Sequence, residues 1–214
     1  MDSEEAIPGT QSFASIAEAA RCAAAPAESL ILTEIAEDDG ALVIFTTGST
    51  GSPKPALLSH RNITVQNMCL CGAFFGGDRG TRTLVNLPPS HVGGQTEAMM
   101  STFFGGGTAV LLEVFDAGRS LRAIAQHRVE ILGQIPAMFN LEWRTADFAR
   151  RHLASLQTAV YGGQAVPRAF LERMLQMAPR IATGLGLTES SGFCTYTRPV
   201  SYTHLDVYKR QRPR

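Results

Sequence analysis

The chain has 214 residues, 44% hydrophobic and 18% charged, and its 19 basic and 19 acidic side chains cancel. This composition supports a domain with a real core and excludes disordered, collagenous and coiled-coil chains. Apolar runs such as Ala41–Phe45 are far too short to span a bilayer, and the acidic opening Met1–Gly9 does not read as a signal peptide. The four cysteines, Cys22, Cys69, Cys71 and Cys194, have no C-x-x-C spacing, so a reduced, cytoplasmic setting is expected. Charge is unevenly spread. Residues 1–40 carry nine acids against Arg21 alone, whereas residues 41–199 carry nine acids against fourteen bases. A basic body suits an anionic ligand, although a solvated surface explains it equally well, and nothing points to nucleic acid. Against seventeen arginines there are two lysines, Lys54 and Lys209, so any retained lysine draws notice.

Residues 1–40 form an acidic leader with a helix-like stretch, Phe13–Ala25. Ala41–Phe45 is a short β-branched and aromatic run and reads as a buried strand. Thr46–Lys54 is a loop, and Ala56–Leu58 can return as a short strand. Ser59 can cap a helix to about Cys71. The chain then alternates: strand Leu84–Leu87, helix from Gly94 to Phe104, and strand Thr108–Leu112. Asp116 caps a helix to His127 with Leu121, Ile124 and Ala125 on one face. Strand Ile131–Ile135 follows, then a short helix near Met138–Trp143 and strand Thr158–Tyr161. Pro167 suits the first turn of a helix to Met177, and Arg180–Thr183 is the last strand. This order predicts an α/β fold, a mainly parallel sheet flanked by helices, with ligands bound outside the carboxyl ends of the strands. Cys69 and Cys71 are expected in helix packing, Met174 and Met177 in helix core, and His127 and His152 at the surface.

Val200–Gln211 reads VSYTHLDVYKRQ and departs in composition from everything before it. Together with the last two bases of a CCT codon for Pro199, its codons can be written as a perfect inverted repeat that resembles two transposase mosaic ends, as used in sequencing-library preparation, joined head to head. Residues 200–214 are therefore expected to be adaptor-derived, with the natural gene continuing beyond Pro199.

Thr46-Thr-Gly-Ser-Thr-Gly-Ser-Pro-Lys54 carries the strongest chemical signal. Hydroxyls, glycines that permit close approach, and one cation can cradle polyphosphate. The loop lacks the Gly-Lys-Ser/Thr ending of a Walker A motif, and a Ser/Gly-rich surface loop has a similar composition. The order, however, resembles the phosphate-loop signature of the adenylate-forming (AMP-binding) superfamily, which includes acyl-CoA synthetases. The resemblance runs from about Asp38 to Pro199. It extends to Ala56-Leu-Leu-Ser-His-Arg-Asn62, Pro88-Pro-Ser-His-Val-Gly-Gly94, Ile135-Pro-Ala-Met-Phe139, Tyr161-Gly-Gly-Gln-Ala165 and Gly184-Leu-Gly-Leu-Thr-Glu189.

The resemblance implies ATP-dependent activation of a small carboxylic acid to an acyl-adenylate, followed by thioester formation with coenzyme A. It assigns Thr46, Thr47, Gly48, Ser49, Thr50, Gly51 and Lys54 to the β- and γ-phosphates. Thr188 is assigned to the α-phosphate and Glu189 to Mg²⁺, a hard cation suited to carboxylate oxygen. Gly162, Gly163 and Gln164 are assigned to the adenine, with Gly184, Leu185 and Gly186 in the adenylate motif. His91, Gly93, Gly94 and Met138 are placed near the acyl group. By spacing alone, His91 is also compatible with a helix start and Glu189 with an exposed carboxylate. Pro55 and Leu185 stand where that family commonly has a glycine and an aromatic. Residues 41–199 thus read as an incomplete N-terminal domain of such an enzyme. The family's ribose-binding aspartate, hinge and mobile C-terminal domain are expected beyond Pro199, and the piece is not expected to turn over. An amino-acid adenylation domain that loads a carrier protein is the enzymatic alternative. An acid near the pocket would favour it; none stands in Ser90–Gln95 or Ile135–Phe139, though Glu97 is close. A non-catalytic nucleotide-binding module is the other alternative.

If residues 200–214 are adaptor-derived, deleting them leaves the thermal midpoint unchanged. A large drop in the midpoint on deletion would contradict that origin.

Overall fold

The computed structural model describes residues 13–22, 34–46, 52–75, 80–146, 148 and 153–199. Thr47, Gly48, Ser49, Thr50 and Gly51, together with His152 and the segment from residue 200, lie outside the described residues. The chain divides into two units, Met1–Ile35 and Ala36–Arg214. In the first, α1 (Phe13–Cys22) carries an exposed Glu18–Arg21 ion pair one turn apart, 2.6 Å.

The second unit begins with a hairpin, β1 (Gly40–Thr46) against β2 (Lys54–Ser59), antiparallel with Thr46 opposite Lys54. The expectation of a buried strand at Ala41–Phe45 is corrected here. Only Ile44 is buried, because the hairpin packs by one face, and Ile44 and Leu58 meet Ile63 and Val92 there. Val43, Phe45 and Leu57 face outward. Alternation is what a two-stranded ribbon with a single covered face imposes. Ser59 caps α2 (His60–Leu70) reciprocally: Asn62 N–H donates to Ser59 Oγ and Ser59 N–H to Asn62 Oδ1. The helix does not stop at Cys71 but widens into a π-helical segment, Cys71–Phe75.

The main sheet has the order β4-β3-β5-β6-β7-β8. β3 (Arg82–Val85), β4 (Thr108–Leu111), β5 (Ile131–Gln134), β6 (Thr158–Tyr161) and β7 (Arg180–Leu187) are parallel, as expected. The last expected strand is corrected: β7 runs four residues past Thr183, and β8 (Gly192–Tyr196), unanticipated, pairs antiparallel with it. Between β3 and β4 lie a second π-helical segment, Gly93–Met100, and the short α3 (Ser101–Phe104).

Side chains alternate across the sheet, so two cores form. On one face Leu84, Leu132, Ala159 and Ile181 meet α4 (Ala117–His127), α5 (Pro136–Glu142) and α6 (Arg168–Met177). Asp116 caps α4 by accepting from Arg119 N–H at 2.7 Å. Leu121 and Ile124 are buried, but Ala125 is exposed and Ser120 and Ala123 take its place on the inner stripe. Met174 and Met177 are buried as expected, and Trp143 stacks edge-on to Phe170 at 4.8 Å. On the other face Ile131, Val160 and Ala182 meet Leu70, Cys71, Phe74 and Phe75.

One polar network crosses the first core. Asn86 donates to Ser120 Oγ (3.1 Å) and Gln134 Oε1 (2.8 Å), and Gln134 donates to Glu142 Oε2 (2.7 Å). Glu142 is fully buried, and burial pushes its carboxyl from 4.5 up to about 7 against the hydrogen bond from Gln134. A carboxyl with a raised folded-state pKa is destabilising once ionised. Its penalty is absent below the unfolded value, grows between about 4.5 and about 7, and is complete above. Glu142→Gln keeps an acceptor for Gln134 and cannot ionise. Urea unfolding is expected to show little advantage for the variant at pH 5 and about 2–3 kcal/mol by pH 8. An advantage independent of pH would contradict this reading.

Candidate functional site

The crossovers leave β3 and β5 on opposite faces of the sheet, since the helices after β3 pack with α2 and those around β5 pack on the other side. A crevice at the carboxyl ends of the strands is the geometric consequence. A cavity of about 640 Å³ lies there, within the size range of small-molecule sites.

The sequence motifs meet this cavity unequally. His91, Gly93, Gly162, Gly163 and Gly186 line it. His91 is exposed, and its Nδ1 accepts from Gly93 N–H at 3.0 Å, which fixes the ring at the start of the π-helical segment. Gly163 has φ +90°, a backbone state that glycine takes without strain, and a Cβ there would make only an ordinary contact, 3.7 Å from Ile135 Cγ2. Gly162 and Gly163 thus present only backbone to the cavity, between the side chains of Ile135 and Phe193. Gly94 is not on the wall. A Cβ at Gly94 would collide with Pro88 O and Leu87 O, so this glycine is needed for the helix to approach the preceding turn. Met138 is buried in α5 and does not reach the cavity. Gln164 is exposed beside Gly163, and Leu185 is exposed on β7.

The loop assigned to phosphate connects the strands of the hairpin, rather than a strand of the parallel sheet to a helix. Thr46 and Lys54 are its described ends, bound by Thr46 Oγ1 donating to Lys54 O at 3.4 Å. Lys54 is exposed there. Thr188 and Glu189 stand on a 3₁₀ turn, Thr188–Ser190, that ends β7. Glu189 is exposed and Thr188 half-buried. Gly184 and Gly186 lie inside β7, where a Cβ would collide with Phe193 and with the Gly192 backbone.

Other wall residues are the aromatic rings Phe74, Phe75 and Phe193, together with Glu97 and Gln134. Phe74 and Phe193 meet edge to face at 6.4 Å. Glu97 is the one acidic side chain on the wall among the described residues. It accepts from Phe193 N–H, and burial pushes its carboxyl from 4.5 up to about 7. Both π-helical segments contribute to the wall, and such segments gather at functional sites. Spacing does not reveal a five-residue hydrogen-bond pattern. The signal in the sequence for Glu97 was an acid isolated among Gly, Ala and Met.

The AMP-binding enzyme family matches residues 4–212. A feruloyl-CoA synthase of Amycolatopsis sp is 34% identical over 160 residues, which is 72% of this chain and 31% of that protein. The 4-coumarate–CoA ligase-like 2 protein of Arabidopsis thaliana is 31% identical over 170 residues, 78% of this chain and 30% of that protein. The chain thus spans about a third of the length of the curated relatives it matches. Among solved structures, the N-terminal domain of FACL13 from Mycobacterium tuberculosis superposes with a TM-score of 0.75 at 25% identity, covering 91% of this chain and 47% of that one. The hydroxyl- and glycine-rich loop, the strand-end cavity and these matches together lead to one conclusion: the chain belongs to the AMP-binding enzyme family.

Proposed function

We propose that this chain forms part of the nucleotide- and acid-binding domain of a carboxylate–CoA ligase. The observation that carries the reading is the convergence of His91, Gly93, Gly162, Gly163 and Gly186, from separate motifs, on one cavity at the strand ends. The names of the relatives, feruloyl-CoA synthase and 4-coumarate–CoA ligase-like protein, support an organic acid as substrate and coenzyme A as acceptor. The free thiols of Cys22, Cys69, Cys71 and Cys194 support a cytoplasmic setting.

In this reading the acid lies in the apolar cavity, where Phe74, Phe75 and Phe193 exclude water from its carboxylate. The carboxylate oxygen attacks the α-phosphorus of ATP, forming a P–O bond as pyrophosphate departs. A thiol sulfur then attacks the acyl carbon and AMP leaves. The residues present suit the nucleotide. Gly162–Gly163 offers a bare backbone surface to the adenine, and the Thr188 hydroxyl can donate to an α-phosphate oxygen. Lys54 supplies a cation at the end of the loop from Thr46, whose residues Thr47, Gly48, Ser49, Thr50 and Gly51 we assign to the β- and γ-phosphates. Glu189 offers an exposed carboxylate suited to Mg²⁺, which would offset phosphate charge during transfer. Gly184, Leu185 and Gln164 flank this nucleotide path. Gly94 and Met138 we place near the acyl group, although neither lines the cavity. Among the described residues we assign none to coenzyme A.

One observation favours a second reading. Glu97 on the cavity wall is an acid where an amino-acid adenylation domain, with a carrier protein as acceptor, would use one. The apolar wall and the names of the relatives favour the first.

Calorimetric titration of the chain tests the phosphate assignment. Lys54→Ala is expected to weaken Mg·ATP binding by about 1–3 kcal/mol, the scale of a charged hydrogen bond, and to leave AMP binding nearly unchanged. Equal losses for ATP and AMP would remove Lys54 from the β/γ-phosphate role.

A further inference from the structure

The turn that carries Thr188 and Glu189 is held from outside itself. Its own fastenings are short-range: Ser190 Oγ donates to Gly192 O at 2.7 Å and accepts from Leu187 N–H at 3.1 Å. Immediately after it the backbone takes two left-handed steps, Ser191 at φ +61° and Gly192 at φ +123°. Such steps persist only where the surroundings determine them. Here three side chains from the helices of one face do so. Thr96, fully buried, donates to Ser191 O at 2.7 Å. Glu97 accepts from Phe193 N–H, and Gln66 of α2 donates to Phe193 O at 3.0 Å. No side chain fits at 192, since a Cβ there would meet the Glu97 carboxylate within 2.7 Å.

Glu97 therefore belongs to two structures at once. It is on the wall of the cavity, next to Gly93 and Phe193, and it fixes the strand that leaves the turn. The π-helical geometry of Gly93–Met100 brings consecutive residues, Thr96 and Glu97, to bear on Ser191 and Phe193. The π-helical segment that shapes the cavity thereby sets the position of the turn.

We infer that Glu97 and Thr96 are positioning residues for nucleotide binding: from the acyl-cavity helix they hold the Thr188–Glu189 turn in the geometry that meets the α-phosphate and its metal. The inference rests on the proposed nucleotide role of Thr188 and Glu189. Neither Glu97 nor Thr96 needs to touch the nucleotide. The hydrogen bond to Phe193 N–H requires only an acceptor oxygen, so an amide at position 97 preserves it, whereas a methyl does not.

The test is Mg·ATP binding to the 214-residue chain with no carboxylic acid present, so that direct contact with an acyl group plays no part. Glu97→Ala is expected to weaken binding about tenfold or more and Glu97→Gln to restore it to within about threefold of the unsubstituted chain. Thr96→Val, nearly isosteric, is expected to weaken binding in the same direction and serves if Glu97→Ala does not fold. Thermal midpoints measured alongside separate this from general loosening: a structural role alone would lower the midpoint of a variant and leave its affinity, measured well below that midpoint, unchanged. Unchanged Mg·ATP affinity in Glu97→Ala or, should that variant not fold, in Thr96→Val overturns the inference while leaving the carboxylate-activation reading intact. Absence of Mg·ATP binding by the unsubstituted chain would overturn both.

Discussion

At β3 the chain turns to one side of the sheet to reach β4, and from β4 onward every crossover runs along the other side. Right-handed connections impose this split once the strand order is β4-β3-β5, and no connection then covers the carboxyl ends between β3 and β5. The cavity opens at that gap, and Gly162–Gly163 and the turn at Thr188 stand at the same edge of the sheet, where β6 and β7 end. Each sits where a strand ends and the backbone must leave the sheet.

Polar groups in this architecture are concentrated on either side of the gap. Beneath it, Asn86, Ser120, Gln134 and Glu142 tie the ends of β3 and β5 to α4 and α5. Above it, Thr96 ties the other layer of helices to Ser191, and Glu97 and Gln66 tie it to Phe193 of β8. Burial raises both carboxyls, Glu97 and Glu142, to about 7. Carboxyls held partly protonated near neutrality are costly in an apolar core; Glu97 accepts from Phe193 N–H and Glu142 Oε2 from Gln134, each bond tying a helix to a strand.

Local chemistry was legible in the sequence. Ser59 and Asp116 cap helices where their hydroxyl and carboxylate predict, and Leu84, Leu132 and Ala159 lie in strands that alternate with helices. The resemblance carried by the motifs is matched by membership of the AMP-binding family. What escaped was set by tertiary partners. An apolar run such as Ala41–Phe45 does not say whether one face or two will be covered. Gly184-Leu-Gly-Leu187 looks like a loop because glycine weakens strands, yet here the missing side chains admit the Phe193 ring and the Gly192 backbone. Gly94 looked like a ligand-facing glycine, but its space is taken by the carbonyls of Leu87 and Pro88. The π-helical continuation at Cys71–Phe75, which brings Phe74 and Phe75 to the cavity, has no periodicity signal that separates it from an α-helix.

A structure of the chain with a non-hydrolysable acyl-adenylate analogue, such as a cinnamoyl-sulfamoyl adenosine, tests the central claim most directly. The account places the acyl group between the two π-helical segments, against Phe74, Gly93 and Phe193, with the adenine beside Gly162–Gly163 and the sulfamoyl group at Thr188. An analogue bound with its acyl group outside that cavity, or with its adenine away from Gly162–Gly163, would contradict it.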